Sequence, residues 1–144
     1  MMKRNKALMA FVFIAILLEV LPGMGLAVGV KETVKIAKKD GFGSFLTDSR
    51  GKTLYYFKKD SPGKSACYGD CADAWPPYCY STSEMAVPEG FNSSDFSSFR
   101  RTDEAHGPDH LMYKGRPLYR YSGDQEPGDT NGHGINDVWF VVKP

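Results

Sequence analysis

The sequence lacks the short motifs by which the commoner enzyme classes are recognised. It contains no G-x-S-x-G nucleophile motif, no glycine-rich loop that would hold a phosphate, and no H-E-x-x-H zinc motif. It also lacks a strong charge of either sign, since 18 Lys and Arg stand against 17 Asp and Glu, a net charge of +1. A chain this close to neutral has no long-range attraction to nucleic acid or to an anionic membrane. We therefore expect a protein that is not an enzyme and that has no nucleic-acid partner.

Long hydrophobic runs are also missing, except at the N-terminus. A basic stretch over residues 1–6 precedes an apolar stretch over residues 7–18, and small residues follow at Gly25 and Ala27. This order is typical of an export signal, and the apolar stretch is shorter than the roughly 20 residues that span a membrane. We expect residues 1–27 to be a cleaved signal peptide and residues 28–144 to be a single extracytoplasmic domain. An uncleaved anchor is the alternative, and membrane contact is expected only in that case.

Cysteine is scarce, with only Cys67, Cys71 and Cys79 in the chain. Disulfides form in exported proteins, and an odd count leaves one thiol unpaired. On a helix the Cβ atoms of the first two would lie about 5–6 Å apart, beyond the usual disulfide separation of about 3.8 Å, although a loop could close the bridge. A structural disulfide between Cys67 and Cys71 is the leading interpretation. A metal site built on the thiolates and a free thiol stay open as alternatives.

Histidine is equally scarce, with His106, His110 and His133. Together with the three cysteines they are the candidate ligands of a copper or zinc site, although we predict no cofactor. The loop over residues 129–137 has oxygen donors at alternate positions, as a Ca²⁺ loop would. However, His133 occupies a donor position and no glutamate closes the loop. Turn formation is therefore the favoured role of this loop.

What the sequence does contain is an internal repeat. Residues 46–63 are echoed by residues 111–128. Repetition sets the architecture of a chain, so two related β units are predicted. The matching pairs are Gly51 with Gly115, Leu54 with Leu118, Tyr55 with Tyr119, Phe57 with Tyr121, and Asp60 with Asp124.

Short alternating segments bounded by glycine, proline and aspartate predict an all-β fold. Repeat one is expected over about residues 43–65 and repeat two over about residues 110–142, each built on a hairpin. Further strands are expected over residues 28–37 and 99–102, and the most strongly indicated one over residues 137–142. A cysteine-containing crossover with a short helix is expected over residues 66–80. The two repeats are expected to pack as a small sandwich or barrel.

Alternation along each return strand places two aromatic rings on one face. These pairs are Tyr55 with Phe57 and Tyr119 with Tyr121. The rings are expected to fill the core, and stacking on a sugar, a haem or another flat ligand is the alternative. Asp60 and Asp124 follow where the strands end, so we expect them to accept backbone N–H groups in the turns, with ligand binding as the alternative.

These residues also carry a family resemblance. The segments concerned are Y-x-F-x-x-D at residues 55–60, C-x-x-x-C-A-D-A-W-P-P at residues 67–77, and P-G-D-T-N-G at residues 127–132. Over residues 43–144 the chain resembles secreted proteins and lipoproteins with a Y-x-[FWY]-x-x-D motif, sometimes called the secreted repeat of unknown function. The resemblance implies an exported, repeat-built domain and no established activity. This chain has no lipobox, and Cys79 and His133 lie outside the family pattern, in which glutamine often occupies the position of His133.

These observations lead to two hypotheses about function. We expect an exported, non-catalytic binding or cell-envelope module whose ligand or partner outside the cytoplasm is unknown. The alternative is an extracytoplasmic redox accessory protein that binds a transition metal or haem through the cysteines and histidines. Bound metal would favour the alternative, and a disulfide between Cys67 and Cys71 would weaken it.

Overall fold

A computed structural model of the protein describes residues 33–103, 107 and 109–144. The expected signal peptide, the start of the expected first strand and the candidate ligand His106 lie outside these residues. The elements in chain order are β1 (Val34–Lys39), β2 (Gly43–Asp48), β3 (Tyr55–Phe57), α1 (Asp70–Ala74), β4 (Phe96–Arg100), β5 (Asp109–Tyr113), β6 (Arg116–Pro117) and β7 (Trp139–Val141). Short 3₁₀ turns cover Thr82–Glu84, Ser93–Asp95 and Ile135–Asp137.

The prediction of a mainly β fold with a short helix beside the cysteines is confirmed. The described strands form three open antiparallel sheets, ordered β1–β2, β3–β7 and β4–β5–β6, and none of them closes into a barrel. The last strand begins later than expected, at Trp139, because Asn136 and Asp137 have left-handed backbone angles, with φ of 51° and 56°. Such angles do not belong to a strand. No described helix is long and apolar enough to cross a membrane.

The two repeats interlock, because each supplies a strand that pairs with the other. β3 of repeat one pairs with β7 of repeat two, with Tyr55 opposite Val141. In the symmetry-related position, Tyr119 of repeat two forms a β-bridge with Pro77, which lies in the cysteine crossover that follows the hairpin of repeat one. At the centre Tyr55 and Tyr119 exchange both backbone hydrogen bonds, at 2.8 and 2.9 Å. The two tyrosines of the repeated motif therefore lie on either side of a pseudo-twofold axis that passes between them.

A ring of three backbone hydrogen bonds closes each half of this arrangement. In one half Leu54 donates to Leu46, Leu46 donates to Val142, and Val142 donates to Leu54, each bond 2.9 Å long. In the other half the same ring joins three counterparts with bonds of 2.8–3.0 Å; these are Leu118, Leu111 and Tyr78. The chain end of each repeat is thus fixed by the hairpin of the other.

The core contains a stack of four aromatic rings that follows the same symmetry. Trp75 and Trp139 lie face to face at the centre, with ring centroids 3.9 Å apart. Phe57 stacks on the outer face of Trp139 at 4.2 Å, and Tyr121 stacks on the outer face of Trp75 at 4.3 Å. Each repeat contributes one inner and one outer ring. The expectation that the motif aromatics fill the core agrees with this stack and with the complete burial of Tyr55.

Candidate functional site

Each aspartate of the repeated motif is held by the tyrosine of the other repeat. The Tyr55 hydroxyl donates to Asp124 Oδ2 at 2.7 Å, and the Tyr119 hydroxyl donates to Asp60 Oδ2 at 2.7 Å. The second oxygen of each carboxylate accepts a backbone N–H, from Asn131 for Asp124 and from Ala66 for Asp60. The backbone bonds are those expected from the sequence. The tyrosine bonds were not expected, because the motif spacing does not indicate which repeat supplies the partner.

Burial sets the protonation of these pairs. Desolvation raises the pKa of Asp60 and of Asp124, and the hydrogen bonds from the tyrosines and the backbone act in the opposite direction. Desolvation and the neighbouring carboxylates raise the pKa of Tyr55 and Tyr119, so both hydroxyls stay protonated donors. This arrangement joins the two repeats.

A buried polar cluster surrounds His110, which is 0% exposed. Arg101 points one guanidinium nitrogen at His110 Nδ1 at 3.2 Å and forms a paired salt bridge with Asp103 at 2.6 and 2.7 Å. Because Arg101 can only donate, His110 Nδ1 accepts, and Nε2–H donates to the Leu118 carbonyl at 2.7 Å. Burial lowers the pKa of His110 to about 4, so the ring is neutral and both nitrogens are occupied.

The cysteines have separate roles. Cys67 and Cys71 form a disulfide with Cα atoms 5.3 Å apart. The bridge closes because Cys67 precedes α1, which begins at Asp70, so the pair is not held at helical spacing. Cys79 is a free, half-buried thiol whose Sγ lies 3.6 Å from the Gly107 carbonyl oxygen, and burial raises its pKa.

The described residues contain no cluster of three or more histidine, cysteine or carboxylate groups placed to hold a metal ion. His133 packs its ring against Phe42 and Phe140, and its Nδ1 accepts the Val141 N–H at 3.3 Å. In the loop considered for Ca²⁺, Asp129 Oδ2 accepts two backbone N–H groups, those of Gln125 and Glu126. These side chains satisfy the fold's own donors and acceptors.

The candidate site is a groove on the surface, made of two adjoining cavities of about 390 and 400 Å³. Both cavities are lined by Tyr56, Lys114 and Arg116. We call this surface the basic groove and define it by six side chains, which are Tyr56, Lys58, Lys114, Arg116, Phe140 and Lys143.

Strand alternation places the rings of the basic groove. Tyr55 points into the core from β3, so its neighbour Tyr56 points outward. Tyr56 lies opposite Phe140 of β7, and the two half-exposed rings stack with centroids 5.9 Å apart. Lys114 and Arg116 flank the tight turn between β5 and β6, and Lys143 follows β7. The interlocked pairing of β3 with β7 therefore creates the floor of the groove.

Each cation of the groove lies over an aromatic ring. The Arg116 guanidinium carbon is 4.4 Å from the Tyr56 ring centroid, and Lys58 Nζ is 5.3 Å from that of Phe140. Lys143 Nζ is 4.2 Å from the Phe42 centroid. In the part of the chain that the structure describes, Arg116, Lys114 and Lys143 form no salt bridge. Lys58 approaches Asp137 at 3.8 Å, with the Asp137 side chain 90% exposed, a weak pairing.

The counterpart of this groove in the other repeat is a smaller cleft of about 280 Å³. There Lys52 takes the place of Arg116, and Arg120 takes the place of Tyr56. Lys52 Nζ donates to the carbonyls of Asp124 and Gln125, and Arg120 pairs with the buried Asp48 at 2.8 Å. The second cleft thus uses both of its cations internally. In the basic groove Lys143 Nζ donates to the Phe42 carbonyl at 2.7 Å, whereas Arg116 and Lys114 form no salt bridge among the described residues and face a ligand directly.

The fold and the groove define a β protein of two interlocked repeats with one basic, aromatic surface. The family model for a secreted repeat of unknown function matches residues 36–78 and again residues 102–143, so the chain belongs to this family and holds two copies of its repeat. The first match includes the cysteine crossover as far as Tyr78. No curated protein and no solved structure matches the chain. The family description and the disulfide indicate a location outside the cytoplasm.

Proposed function

We propose that this protein is a non-catalytic, extracytoplasmic binding module that holds an anionic ligand in the basic groove. The observation that carries the proposal is the contrast between the two repeats. The same cleft occurs twice, and Lys52 and Arg120 are used internally in the second one. In the basic groove the equivalent surface presents Arg116 and Lys114 without carboxylate partners among the described residues.

The energetics of the groove favour a ligand that carries several charges. A cation held over a ring gains about 0.5–1 kcal/mol at an exposed site, which orders the side chain before a ligand arrives. Each exposed ion pair then contributes only about 0.2–1 kcal/mol. Measurable affinity therefore requires several of the four cations at once, together with contact to the rings of Tyr56 and Phe140.

The absence of catalysis in this proposal is supported by the orientation of the titratable groups. Asp60 is the carboxylate that lines the groove, and its oxygens are already held by the Tyr119 hydroxyl and the Ala66 N–H. His110 is buried with both nitrogens occupied. A general acid or base needs a proton within reach of a substrate, which Asp60 and His110 do not offer. His133 lines the second cavity, and its Nδ1 is held by the Val141 N–H.

Binding of a labelled anionic polymer tests the location of the site. Fluorescence anisotropy with labelled polyglutamate compares the mature protein with the double variant Lys58→Gln/Arg116→Gln. The matched control is Lys35→Gln/Lys38→Gln, which removes the same charge from exposed positions of β1. We expect the groove variant to bind about tenfold more weakly, as the loss of two exposed ion pairs predicts, and the control to bind as the wild type does. Equal loss in both variants would show that net charge alone governs binding.

A further inference from the structure

We propose that the ligand of the basic groove is an acidic polysaccharide, a chain of carboxylated sugars bound along the groove. This inference rests on the proposed function, because it names the class of anion that the site would hold. Three features of the groove support it. These are its two adjoining cavities, its partly buried aromatic rings, and the distribution of its cations over both cavities.

The length of the groove suits a chain better than a single small anion. Two cavities of about 390 and 400 Å³ adjoin at Tyr56, Lys114 and Arg116, which line both of them. Pro62 lines only the first cavity and Lys143 only the second, so a chain that follows both cavities contacts more of the surface than a small anion does. Ligand pockets of one drug-sized molecule span about 300–1,000 Å³, so several sugar units fit in the combined space.

The half-exposed rings match the two faces of a sugar chain. Tyr56 and Phe140 are partly buried and stack on each other, and the ring surface that Arg116 and Lys58 leave open is an apolar platform lining the groove. A pyranose ring has an apolar face of C–H groups that packs on such a platform, while its hydroxyls remain in water. The Arg116 guanidinium lies over the Tyr56 ring, and its planar group can bind a carboxylate through two parallel hydrogen bonds.

The cations are distributed over both cavities, which suits a ligand with several separate carboxylates better than one dense anionic centre, because Lys58 lines only the first cavity and Lys143 only the second. Lys58 follows β3, Lys114 and Arg116 flank the β5–β6 turn, and Lys143 follows β7. Each cation lies over a different ring: Lys58 over Phe140, Arg116 over Tyr56, and Lys143 over Phe42. The cations therefore do not converge on a single point.

A single-stranded nucleic acid fits the groove less well. Proteins that bind it stack successive bases on separate aromatic side chains. Here Tyr56 and Phe140 are packed together and offer one apolar contact rather than a row of separate rings. Of the other rings in the lining, Phe57 is stacked on Trp139 and Tyr113 is 4% exposed. The near-neutral chain also lacks the broad positive field that phosphate backbones attract.

Isothermal titration calorimetry on the mature protein tests the inference with polygalacturonate, alginate and hyaluronan as probes. Fully methyl-esterified polygalacturonate is the uncharged control, polyglutamate is the charged polymer without sugar, and oligothymidylate is the nucleic acid. The variant Tyr56→Leu removes one platform ring, and Tyr68→Leu is its control at an exposed position outside the groove. Circular dichroism of each variant establishes that it is folded.

We expect at least one acidic polysaccharide to bind, the ester not to bind, and Tyr56→Leu to weaken binding about tenfold while Tyr68→Leu has no effect. Polyglutamate binding that is equally tight and independent of Tyr56 would overturn the sugar inference and leave the proposed function standing. Tighter binding of oligothymidylate, lost in Tyr56→Leu, would replace the polysaccharide by nucleic acid. Failure of every polyanion to bind would overturn both proposals.

Discussion

The hydrogen bonds between tyrosine and aspartate across the two repeats lead to a specific prediction about stability. Tyr119→Phe removes the hydroxyl that donates to Asp60 at 2.7 Å, and Tyr55→Phe removes the hydroxyl that donates to Asp124 at 2.7 Å. Each change leaves the ring in place and opens no large cavity. A hydrogen bond to a charged group contributes about 1.5–3 kcal/mol, so each variant should lose about 2 kcal/mol of the free energy of unfolding.

The cost should depend on pH in a direction that follows from the carboxylates. The tyrosine bond lowers the pKa of its aspartate against the larger effect of burial. Without the hydroxyl, the aspartate binds a proton at a higher pH in the folded protein. The destabilisation should therefore be largest at neutral pH and should shrink as the pH falls and the buried carboxylate becomes neutral.

Urea denaturation at several pH values, followed by tryptophan fluorescence, measures both effects. Tyr121→Phe is the matched control, since Tyr121 belongs to the same motif and lies in the aromatic stack, but its hydroxyl forms no hydrogen bond with the residues that the structure describes. The control should change stability by less than about 0.5 kcal/mol. A cost below that limit in either Tyr55→Phe or Tyr119→Phe, or a large difference between them, would refute the symmetric account of the two bonds.

Three further predictions concern the buried histidine and the cysteines. Burial lowers the pKa of His110 from 6.5 to about 4, so as the pH falls the unfolded chain binds a proton at this residue before the folded protein does. Between those pH values the wild type should lose up to about 3 kcal/mol of the free energy of unfolding relative to His110→Gln. Parallel curves of unfolding free energy against pH for the two proteins would contradict this. Removing the disulfide as Cys67→Ser/Cys71→Ser should cost about 2 kcal/mol, the value for a short closed loop, and an unchanged urea midpoint would argue against a bracing role. Cys79 has its pKa raised by burial, so iodoacetamide should alkylate it slowly in the native protein at pH 8 and rapidly in urea; a native rate equal to that in urea would contradict the burial.

The sequence indicated the local parts of the fold, because those depend on neighbouring residues. The turn at Gly51 was predictable from its aspartate and glycine, and the structure explains the glycine by a φ of +85° and by Pro127, whose Cβ would lie 2.9 Å from an added side chain. The disulfide between Cys67 and Cys71 was the leading interpretation because exported proteins form disulfides, although the short spacing allows the bridge only outside a helix. The aspartate and the glycine of the turn lie within a few residues of each other, whereas the contact of Gly51 with Pro127 comes from the other repeat.

The interlocking of the repeats could not be predicted from the same patterns. Alternation in residues 55–57 indicates a strand but not its partner, and the partner, β7, lies more than half the chain away. The partner of Asp60 is likewise a tyrosine in the other repeat. One signal was overlooked: Trp75 follows Tyr55 by as many positions as Trp139 follows Tyr119, so both tryptophans belong to the repeat. That spacing already indicated that the cysteine crossover is part of repeat one.

The basic groove was also beyond the sequence analysis, for a related reason. Its cations come from three separate places, namely Lys58, the turn between Lys114 and Arg116, and Lys143. The total charge of the chain is close to zero, which conceals a local excess on one surface. The pairing of β3 with β7 and the contact of β6 with β3 bring these positions together.

The central claim, that the basic groove binds an anionic ligand, is tested most directly by mapping binding residue by residue. Amide spectra of the ¹⁵N-labelled mature protein are recorded while oligogalacturonate is added. The account predicts that the shifted signals cluster at Tyr56, Arg116 and Phe140 and their immediate neighbours. Shifts that cluster instead around Lys52 and Arg120 in the second cleft, or that spread evenly over exposed lysines, would contradict it.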